Sequence, residues 1–248
     1  MLAGKIAVVT GASRGLGRAL AISLAEAGAR VALLARPSPE LTAVETEIGR
    51  ERGAAVACDV ADPGSVNRAI AQAVEIFGGI DILINNAAIY SLGKIETISD
   101  ADIHDQLAID LAGPIYCVRA VIPHLRARGG GDIVNLSSES VRMPFPYLGV
   151  YAAAKAGVEV FSQALQAELR EDRIRVSVLR AGRMAHTDGQ RGWDPAMQAA
   201  FFATIEKSGH AALGGNAAAA ASSMVGAILS ILCLPRDVQA ELVEIHAF

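Results

Sequence analysis

The sequence contains few aromatic residues and no cluster of basic residues. Aromatic residues make up 4% of the 248 residues and hydrophobic residues 52%, so the core has to be built from Ala, Val, Ile and Leu, as in parallel sheets covered on both faces. The net charge is -4, and Lys and Arg are dispersed along the chain, which argues against nucleic acid as a partner. The length suits one large α/β domain as well as two small ones.

The sequence is also poor in cysteine. Cys58, Cys117 and Cys233 are far apart and form no C-x-x-C pair, which argues against a disulfide framework and against a metal site. We expect buried thiols in a reducing compartment. A predicted strand begins within a few residues of Met1 and leaves no room for a signal peptide, so we expect a cytoplasmic protein.

One long stretch, residues 217–234, has no charged residue and is close to the length of a membrane span. Its first half is rich in Ala, Ser and Gly, and such segments insert poorly into membranes. We therefore expect the last helix of an α/β domain here, and no membrane partner.

Apolar runs at regular intervals predict buried strands, and the stretches between them predict helices. One helical pattern covers residues 100 to about 125, and another contains Tyr151 and ends near residue 171. Such β-α repetition is typical of a parallel sheet. The predicted strands cover residues 5–10, 30–34, 54–58, 80–84, 132–136, 174–179 and 242–245.

A glycine-rich loop follows the first predicted strand and opens a helix. It reads Gly11-Ala12-Ser13-Arg14-Gly15-Leu16-Gly17, with the spacing G-x-x-x-G-x-G. Glycines allow the backbone to approach a pyrophosphate that rests on the amino terminus of the helix. Because the loop joins a strand to a helix, we predict a dinucleotide site; the alternative is a glycine-rich turn without a ligand.

The end of the second predicted strand indicates which dinucleotide is bound. Folds that select NAD usually carry Asp or Glu about 20 residues after the glycines, whereas Arg accommodates a 2′-phosphate. This sequence has Arg36 there, and Arg14 in the glycine loop. NADP(H) is therefore favoured over NAD(H), unless Arg36 merely opens the next helix at the surface.

The segment 137–155 carries the candidate catalytic residues. Ser138 lies at the carboxyl end of a predicted strand, where open parallel sheets bind ligands. Tyr151 and Lys155 are four residues apart, so a helix presents both on one face. The ammonium of Lys155 would lower the pKa of the phenol toward a range useful for acid-base chemistry. A tyrosine beside a solvated lysine is the alternative interpretation.

Three further polar residues and one irregular segment are also candidates for a functional role. Asn85 and Asn86 end a strand and can serve the backbone or a cofactor. Asp110 lies in an otherwise apolar helix face. Residues 183–212 fit a substrate-binding lid or an ordinary helical hairpin. The candidate pocket residues are Ile89, Tyr90, Arg142, Tyr147, Met184 and Trp193.

Together these motifs resemble the short-chain dehydrogenase/reductase family of about 250 residues, and the resemblance covers nearly the whole chain. It rests on Thr10-Gly11 with Gly15 and Gly17, on Asn85-Asn86-Ala87, and on Ser138 followed by Y-A-A-A-K at Tyr151. The resemblance implies one Rossmann-like α/β domain over residues 1–248, with a doubly wound parallel sheet of about seven strands and helices on both faces.

The resemblance also implies roles for individual residues. Tyr151 would be the general acid or base, Ser138 would orient the oxygen of a ketone or secondary alcohol, and Lys155 would bind the nicotinamide ribose. Tyr147 and Trp193 would help to bind substrate. The implied assembly is a homotetramer or homodimer, and no metal is required. Further cofactor contacts are expected from Gly11, Ser13, Arg14, Gly15, Leu16, Gly17, Arg36, Asp59, Val60, Asn86, Ala87, Gly182 and Thr187.

The sequence departs from the family pattern close to the reacting centre. Asp110 takes the position of the family's active-site Asn. Ala88 stands where the family's N-N-A-G motif has its glycine, and Ala181 stands where the family has proline. A carboxylate near Lys155 could weaken its effect on Tyr151. These departures keep a second hypothesis open, a non-catalytic dinucleotide sensor or scaffold, although the intact Ser138, Tyr151 and Lys155 favour the enzyme.

Overall fold

A computed structural model describes residues 2–185, 193–208 and 218–247. Within these residues seven parallel strands form one sheet in the order β3-β2-β1-β4-β5-β6-β7, which confirms the predicted fold class. The strands are β1 Ile6–Thr10, β2 Arg30–Ala35, β3 Gly53–Ala57, β4 Ile82–Asn85, β5 Gly131–Ser138, β6 Ile174–Ala181 and β7 Leu242–Ile245. The helices are α1 Gly15–Glu26, α2 Pro39–Ile48, α3 Pro63–Phe77, α4 Asp100–Leu107, α5 Gly113–Ala127, α6 Gly149–Glu168, α7 Pro195–Lys207 and α8 Ala221–Leu232.

The sheet is covered on both faces, because alternate residues of its strands point to opposite sides. In β1, Ile6 and Val8 pack into the layer under α3, α5 and α6. Ala7 and Val9 pack into the opposite layer, under α1, α2 and α8. Every residue of β1 is buried, which explains its continuous apolar run.

Helix α8 occupies most of the uncharged stretch. Its side chains Met224, Val225 and Ile228 are buried in the layer that also holds α1, so the apolar face of α8 packs into the core of the domain. No helix among the described residues is both long and apolar enough to cross a membrane.

The expected helix over residues 100 to about 125 is interrupted. A π-helical turn, Ala108–Ala112, separates α4 from α5, and the N–H of Gly113 donates to the carbonyl oxygen of Ala108. Pro114 has no N–H to donate to Asp110, so the regular i→i−4 bond is missing at this point. Such turns often occur at functional sites, and this one contains Asp110.

Candidate active site

A cleft of about 1380 Å³ opens at the carboxyl ends of the strands, where β1 lies between β2 and β4 and the strand order reverses. Open α/β sheets bind ligands at this switch point. The cleft brings together most of the predicted site residues. Those that line it are Gly11, Ser13, Arg14, Gly15, Leu16, Gly17, Arg36, Asp59, Val60, Asn86, Ala87, Ser138, Tyr151, Lys155, Gly182 and Trp193.

The glycine loop packs so closely that side chains are excluded at two positions. Gly11 has φ +67, and a Cβ atom there would lie 2.9 Å from the Cα of Ala87. A Cβ atom on Gly17 would overlap the carbonyl oxygen of Gly11. Both glycines are therefore required by the approach of β1, α1 and the end of β4.

Thr10 joins the ends of β1 and β4. Its Oγ1 accepts hydrogen bonds from the backbone N–H groups of Asn86 and Ala87, both at 3.0 Å. The Asn86 side chain donates to the carbonyl oxygen of Thr10 at 2.9 Å. This arrangement supports the structural interpretation of Asn86, which also lines the cleft.

The amino terminus of α1 suits an anion. Arg14, the residue before α1, makes no side-chain cap bond, as is also the case before α5, α6 and α8. The first residues of α1, Gly15, Leu16 and Gly17, line the cleft. The first N–H groups of α1 are thus open to a phosphate in the cleft. Arg14 and Arg36 are exposed on the cleft wall, and among the described residues neither forms an ion pair. These features fit the phosphate groups of a dinucleotide cofactor.

Ser138, Tyr151 and Lys155 converge although they come from two elements. Ser138 ends β5, and its Oγ accepts a hydrogen bond from the N–H of Ser140 at 3.2 Å. Tyr151 and Lys155 lie in the first two turns of α6. The Lys155 Nζ donates to the carbonyl oxygen of Leu136 at 3.1 Å and lies 5.7 Å from the centre of the Tyr151 ring.

Buried polar contacts fix α6 against the sheet. The Asn85 side chain donates to Asn135, which donates to Ser162 of α6, both at 2.8 Å. One turn earlier on the same helix, Glu159 accepts a hydrogen bond from Ser137 at 2.5 Å and pairs with Arg180 at 2.6 Å. These contacts hold the helix that carries Tyr151 against the sheet, while Asn85 Oδ1 is buried without a hydrogen-bond partner among the described residues.

The pKa of Tyr151 is raised, which is opposite to the direction expected from Lys155. Burial is the largest cause, and the charge of Asp110 is the next; a hydrogen bond with Ser138 acts in the other direction. Burial lowers the pKa of Lys155 itself, against the attraction of Asp110. The four-residue spacing predicted that the Lys155 ammonium lies beside Tyr151, but it could not predict that both side chains are removed from solvent.

Asp110 is completely buried beside this pair. Its Oδ1 accepts a hydrogen bond from the N–H of Ile89 at 2.8 Å, and its Oδ2 has no hydrogen-bond partner among the described residues. Burial raises the pKa of Asp110 to about 7, although Lys155 and the Ile89 N–H oppose the shift. Burial thus disfavours the charged form of this carboxyl group.

Glu139 is a cleft residue that the sequence analysis missed. It directly follows Ser138, lines the cleft and is 8% exposed. Burial raises its pKa, and His246 is the first of the charges that oppose the shift. Its Oε2 lies 3.4 Å from His246 Nδ1 without forming a hydrogen bond. Its position next to Ser138 was the only available signal.

Several expectations require correction. Tyr147 is not among the described residues that line the cleft; its ring packs on Phe201, with centroids 6.4 Å apart. Arg142 pairs with Glu244 at 2.7 Å instead of lining the pocket. Cys233 is exposed, whereas Cys58 and Cys117 are buried. Thr187 lies outside the described residues.

Metal ligands do not cluster in the described part of the chain: no group of three or more His, Cys, Asp or Glu could hold an ion there. The predicted lid over residues 183–212 is described only at residues 183–185 and 193–208. Within it, Met184, Phe201 and Phe202 line the cleft.

Comparison with known proteins gives consistent matches. Residues 5–198 match the family model described as short chain dehydrogenase. The chain is 36% identical over 195 residues to the D-threitol dehydrogenase of Mycolicibacterium smegmatis, covering 78% of this chain and 75% of that protein. It is also 36% identical over 194 residues to the sorbitol dehydrogenase of Cereibacter sphaeroides, covering 78% and 74% of the two chains.

A solved structure extends the similarity to almost the full length. The alcohol dehydrogenase from the archaeon Thermococcus sibiricus, complexed with 5-hydroxy-NADP, superposes with a TM-score of 0.81. The two sequences are 26% identical, and the match covers 98% of this chain and 96% of that chain.

Proposed function

The chain belongs to the short-chain dehydrogenase family and is an NAD(P)-dependent oxidoreductase, and from that premise we propose that it interconverts a ketone and a secondary alcohol with NADP(H) as its preferred cofactor. The observation that carries this proposal is the convergence of Ser138, Tyr151 and Lys155 on one cleft. The same cleft continues to the glycine loop and to Arg14.

The three side chains have separate tasks. When bound, the nicotinamide accepts a hydride from the alcohol carbon or supplies one to the carbonyl carbon. Ser138 orients the substrate oxygen by hydrogen bonding. In oxidation Tyr151 takes the hydroxyl proton as the C–H bond breaks and the C=O bond forms; in reduction it returns that proton to the oxygen. Lys155 holds a positive charge beside the phenol and can bind the nicotinamide ribose.

The raised pKa of Tyr151 keeps the phenol protonated at neutral pH. The Tyr151 hydroxyl can thus donate a proton, as reduction requires. Oxidation is favoured at higher pH, because it needs Tyr151 to accept a proton.

The preference for NADP(H) is supported by charge. Arg14 and Arg36 lie on the cleft wall near the end of β2, free of ion pairs with other described residues, and each can bind a phosphate with parallel N–H donors. The similar Thermococcus enzyme is complexed with a derivative of NADP. Asp59 and Val60 also line this end of the cleft and would hold the adenosine.

The rival function, a non-catalytic dinucleotide sensor, is favoured by Asp110. Its charge raises the pKa of Tyr151 and therefore opposes formation of the phenolate. If the chain is a sensor because of this carboxylate, Asp110→Asn should create turnover where wild type has none. If it is an enzyme, the same variant should extend oxidation to lower pH.

Assembly into a homotetramer or homodimer stays part of the proposal. The small residues of α6 divide between two environments: Ala153 is exposed, whereas Ala152 is buried and a Cβ atom on Gly157 would lie 2.9 Å from Leu111 of the same chain. A monomer by light scattering would contradict the proposed assembly.

The first test titrates the purified chain with NADPH and NADH by fluorescence, then follows reduction of a panel of ketones at the nicotinamide absorbance. Tyr151→Phe is the matched variant, since it removes only the hydroxyl. We expect tighter binding of NADPH than of NADH, and a loss of turnover of about 100-fold or more in Tyr151→Phe with NADPH binding retained. Binding without turnover in wild type would favour the sensor.

A further inference from the structure

Aromatic residues are scarce in this chain, yet five of the eleven form a connected series of rings at one end of the cleft. The sequence has six Phe, four Tyr and one Trp. Starting at Tyr151, ring contacts run to Tyr90 at 5.5 Å, from Tyr90 to Trp193 at 5.6 Å, and from Trp193 to Phe201 at 5.8 Å between centroids. Phe202 continues the series at 5.3 Å. All five line the cleft.

The wall is apolar as well as aromatic. The indole N–H of Trp193 donates to the carbonyl oxygen of Tyr90 at 3.3 Å, so the polar atom of Trp193 is already used and its ring presents carbon to the cleft. Ile89, Met184 and Ile205 add aliphatic surface beside the rings.

Glu139 and Ser140 line the cleft next to Ser138, but Glu139 Oε2 and Ser140 Oγ have almost no exposed surface. Asp110 Oδ2, Glu139 Oε2 and Ser140 Oγ are all buried and lack hydrogen-bond partners among the described residues. Ser138 and Tyr151 are needed by the reacting oxygen. Where a substrate faces the rings, Ile89 and Met184, hydroxyl groups on its neighbouring carbons would lie against carbon, which costs about tenfold in affinity or more for each unpaired hydroxyl.

We propose that the substrate carries an aromatic ring on the reacting carbon, and that Trp193 and Tyr90 select it by ring contact. This inference rests on the proposed function, because it names the substrate class of the same site. The reaction is the reduction of an aryl ketone to a secondary aryl alcohol, with hydride from NADPH and a proton from Tyr151. The family match ends at residue 198, so Phe201, Phe202 and Ile205 lie beyond the segment that defines the family.

The first experiment measures kcat/KM for NADPH-linked reduction of acetophenone, butanone and fructose by the full chain. We expect acetophenone to be preferred over butanone by about tenfold or more, because the extra ring is buried, and over fructose by about 100-fold or more. Trp193→Ala should bring the acetophenone-to-butanone ratio within about threefold of one, and Trp193→Phe, which keeps a ring, should retain most of the preference.

Two results would overturn the proposal. One is a preference for fructose over acetophenone in wild type. The other is an acetophenone preference that Trp193→Ala leaves unchanged. A merely structural role of Trp193 would lower kcat/KM for acetophenone and butanone equally, whereas a selecting role lowers it for acetophenone alone.

A binding measurement keeps this inference separate from the proposed function. Trp193 is the only tryptophan, so selective excitation of tryptophan reports on this wall. In the presence of NADPH, acetophenone should quench the fluorescence saturably and fructose should not, with N-acetyltryptophanamide giving the collisional background. If no ketone is reduced, the proposed reductase function is wrong. The titration still tests whether the pocket binds an aromatic ring, and quenching that is only collisional contradicts the aromatic substrate class.

Discussion

The two ends of the cleft differ in how their polar groups are partnered. At the cofactor end, Thr10 accepts two backbone hydrogen bonds and Asn86 donates to the backbone. At the substrate end, Asp110 Oδ2, Glu139 Oε2 and Ser140 Oγ are buried without hydrogen-bond partners in the described part of the chain. The cofactor end is thus shaped by close contacts between backbone segments. At the substrate end, titratable side chains are buried among apolar residues, and this burial shifts their pKa values.

This difference shows where the protein can vary. The cofactor end depends on contacts in which an added Cβ atom at Gly11 or Gly17 would meet backbone, so changes there affect folding and binding together. The substrate end is built from side chains, so a single substitution can change the chemistry while the sheet is preserved. The predictions that follow test this contrast, beginning with the largest effect.

Thr10→Val should damage the cofactor end most. It keeps the shape of the side chain but leaves the N–H groups of Asn86 and Ala87 without their acceptor. We expect a loss of about 3–5 kcal/mol in the free energy of unfolding, since each buried unpaired group costs about 1–3 kcal/mol. Urea denaturation measures it. Thr10→Ser keeps the hydroxyl and should stay within about 1 kcal/mol of wild type; an equal loss in both variants would exclude the hydroxyl as the cause.

Asp110→Asn should change the pH dependence of stability. The folded pKa of Asp110 is raised to about 7, above its unfolded value of about 4. The native state therefore binds the proton more tightly, and wild type loses stability as pH rises from about 4 to about 7. Relative to wild type, we expect Asp110→Asn to gain about 2–3 kcal/mol between pH 5 and pH 8.

The measurement is urea denaturation of both proteins across this pH range. Asp100→Asn serves as the control, because the same carboxyl-to-amide change is made at an exposed position of α4 outside the cleft lining. If the free energy of unfolding changes with pH in the same way for wild type and Asp110→Asn, the pKa of Asp110 is not raised in the folded state.

Two neighbouring serines offer a smaller test. Ser137 donates to the buried carboxylate of Glu159 at 2.5 Å, so Ser137→Ala should cost about 2 kcal/mol. Ser140 Oγ is buried without a hydrogen-bond partner in the described ranges, so Ser140→Ala, which removes this unpaired group, should raise the free energy of unfolding by about 1 kcal/mol. Thermal and urea unfolding compare the two; equal costs would mean that Ser140 has a partner in solution.

Arg36→Ala should have the smallest effect, since an exposed cation contributes little to stability. We expect its NADPH affinity to fall by about tenfold and its NADH affinity to stay within about twofold. The control is Arg50→Ala, an exposed arginine paired with Glu45 at 3.7 Å outside the cleft lining. An unchanged ratio of NADPH to NADH affinity in Arg36→Ala would assign the selectivity to another residue.

Local patterns were sufficient for much of the fold and part of the site. Continuous apolar runs predicted every strand to within a few residues, because buried strands need apolar residues on both faces. The loop from Gly11 to Gly17 and the four-residue spacing of Tyr151 and Lys155 were also visible, since both depend on local geometry. The π-helical turn at Asp110 was not predicted, although Pro114 offered a signal.

What the sequence by itself determined is the order of the elements, the parallel sheet and the identity of the groups at its carboxyl edge, all of which follow from local periodicity and backbone sterics. Only the tertiary structure decided the charge state of those groups and the shape of the substrate end. Burial raises the pKa of Tyr151 and Asp110, Tyr147 turns to Phe201, and Trp193 meets Tyr90 across 103 positions of sequence. Desolvation and ring contact depend on residues that are distant in the chain, so no local pattern contains them.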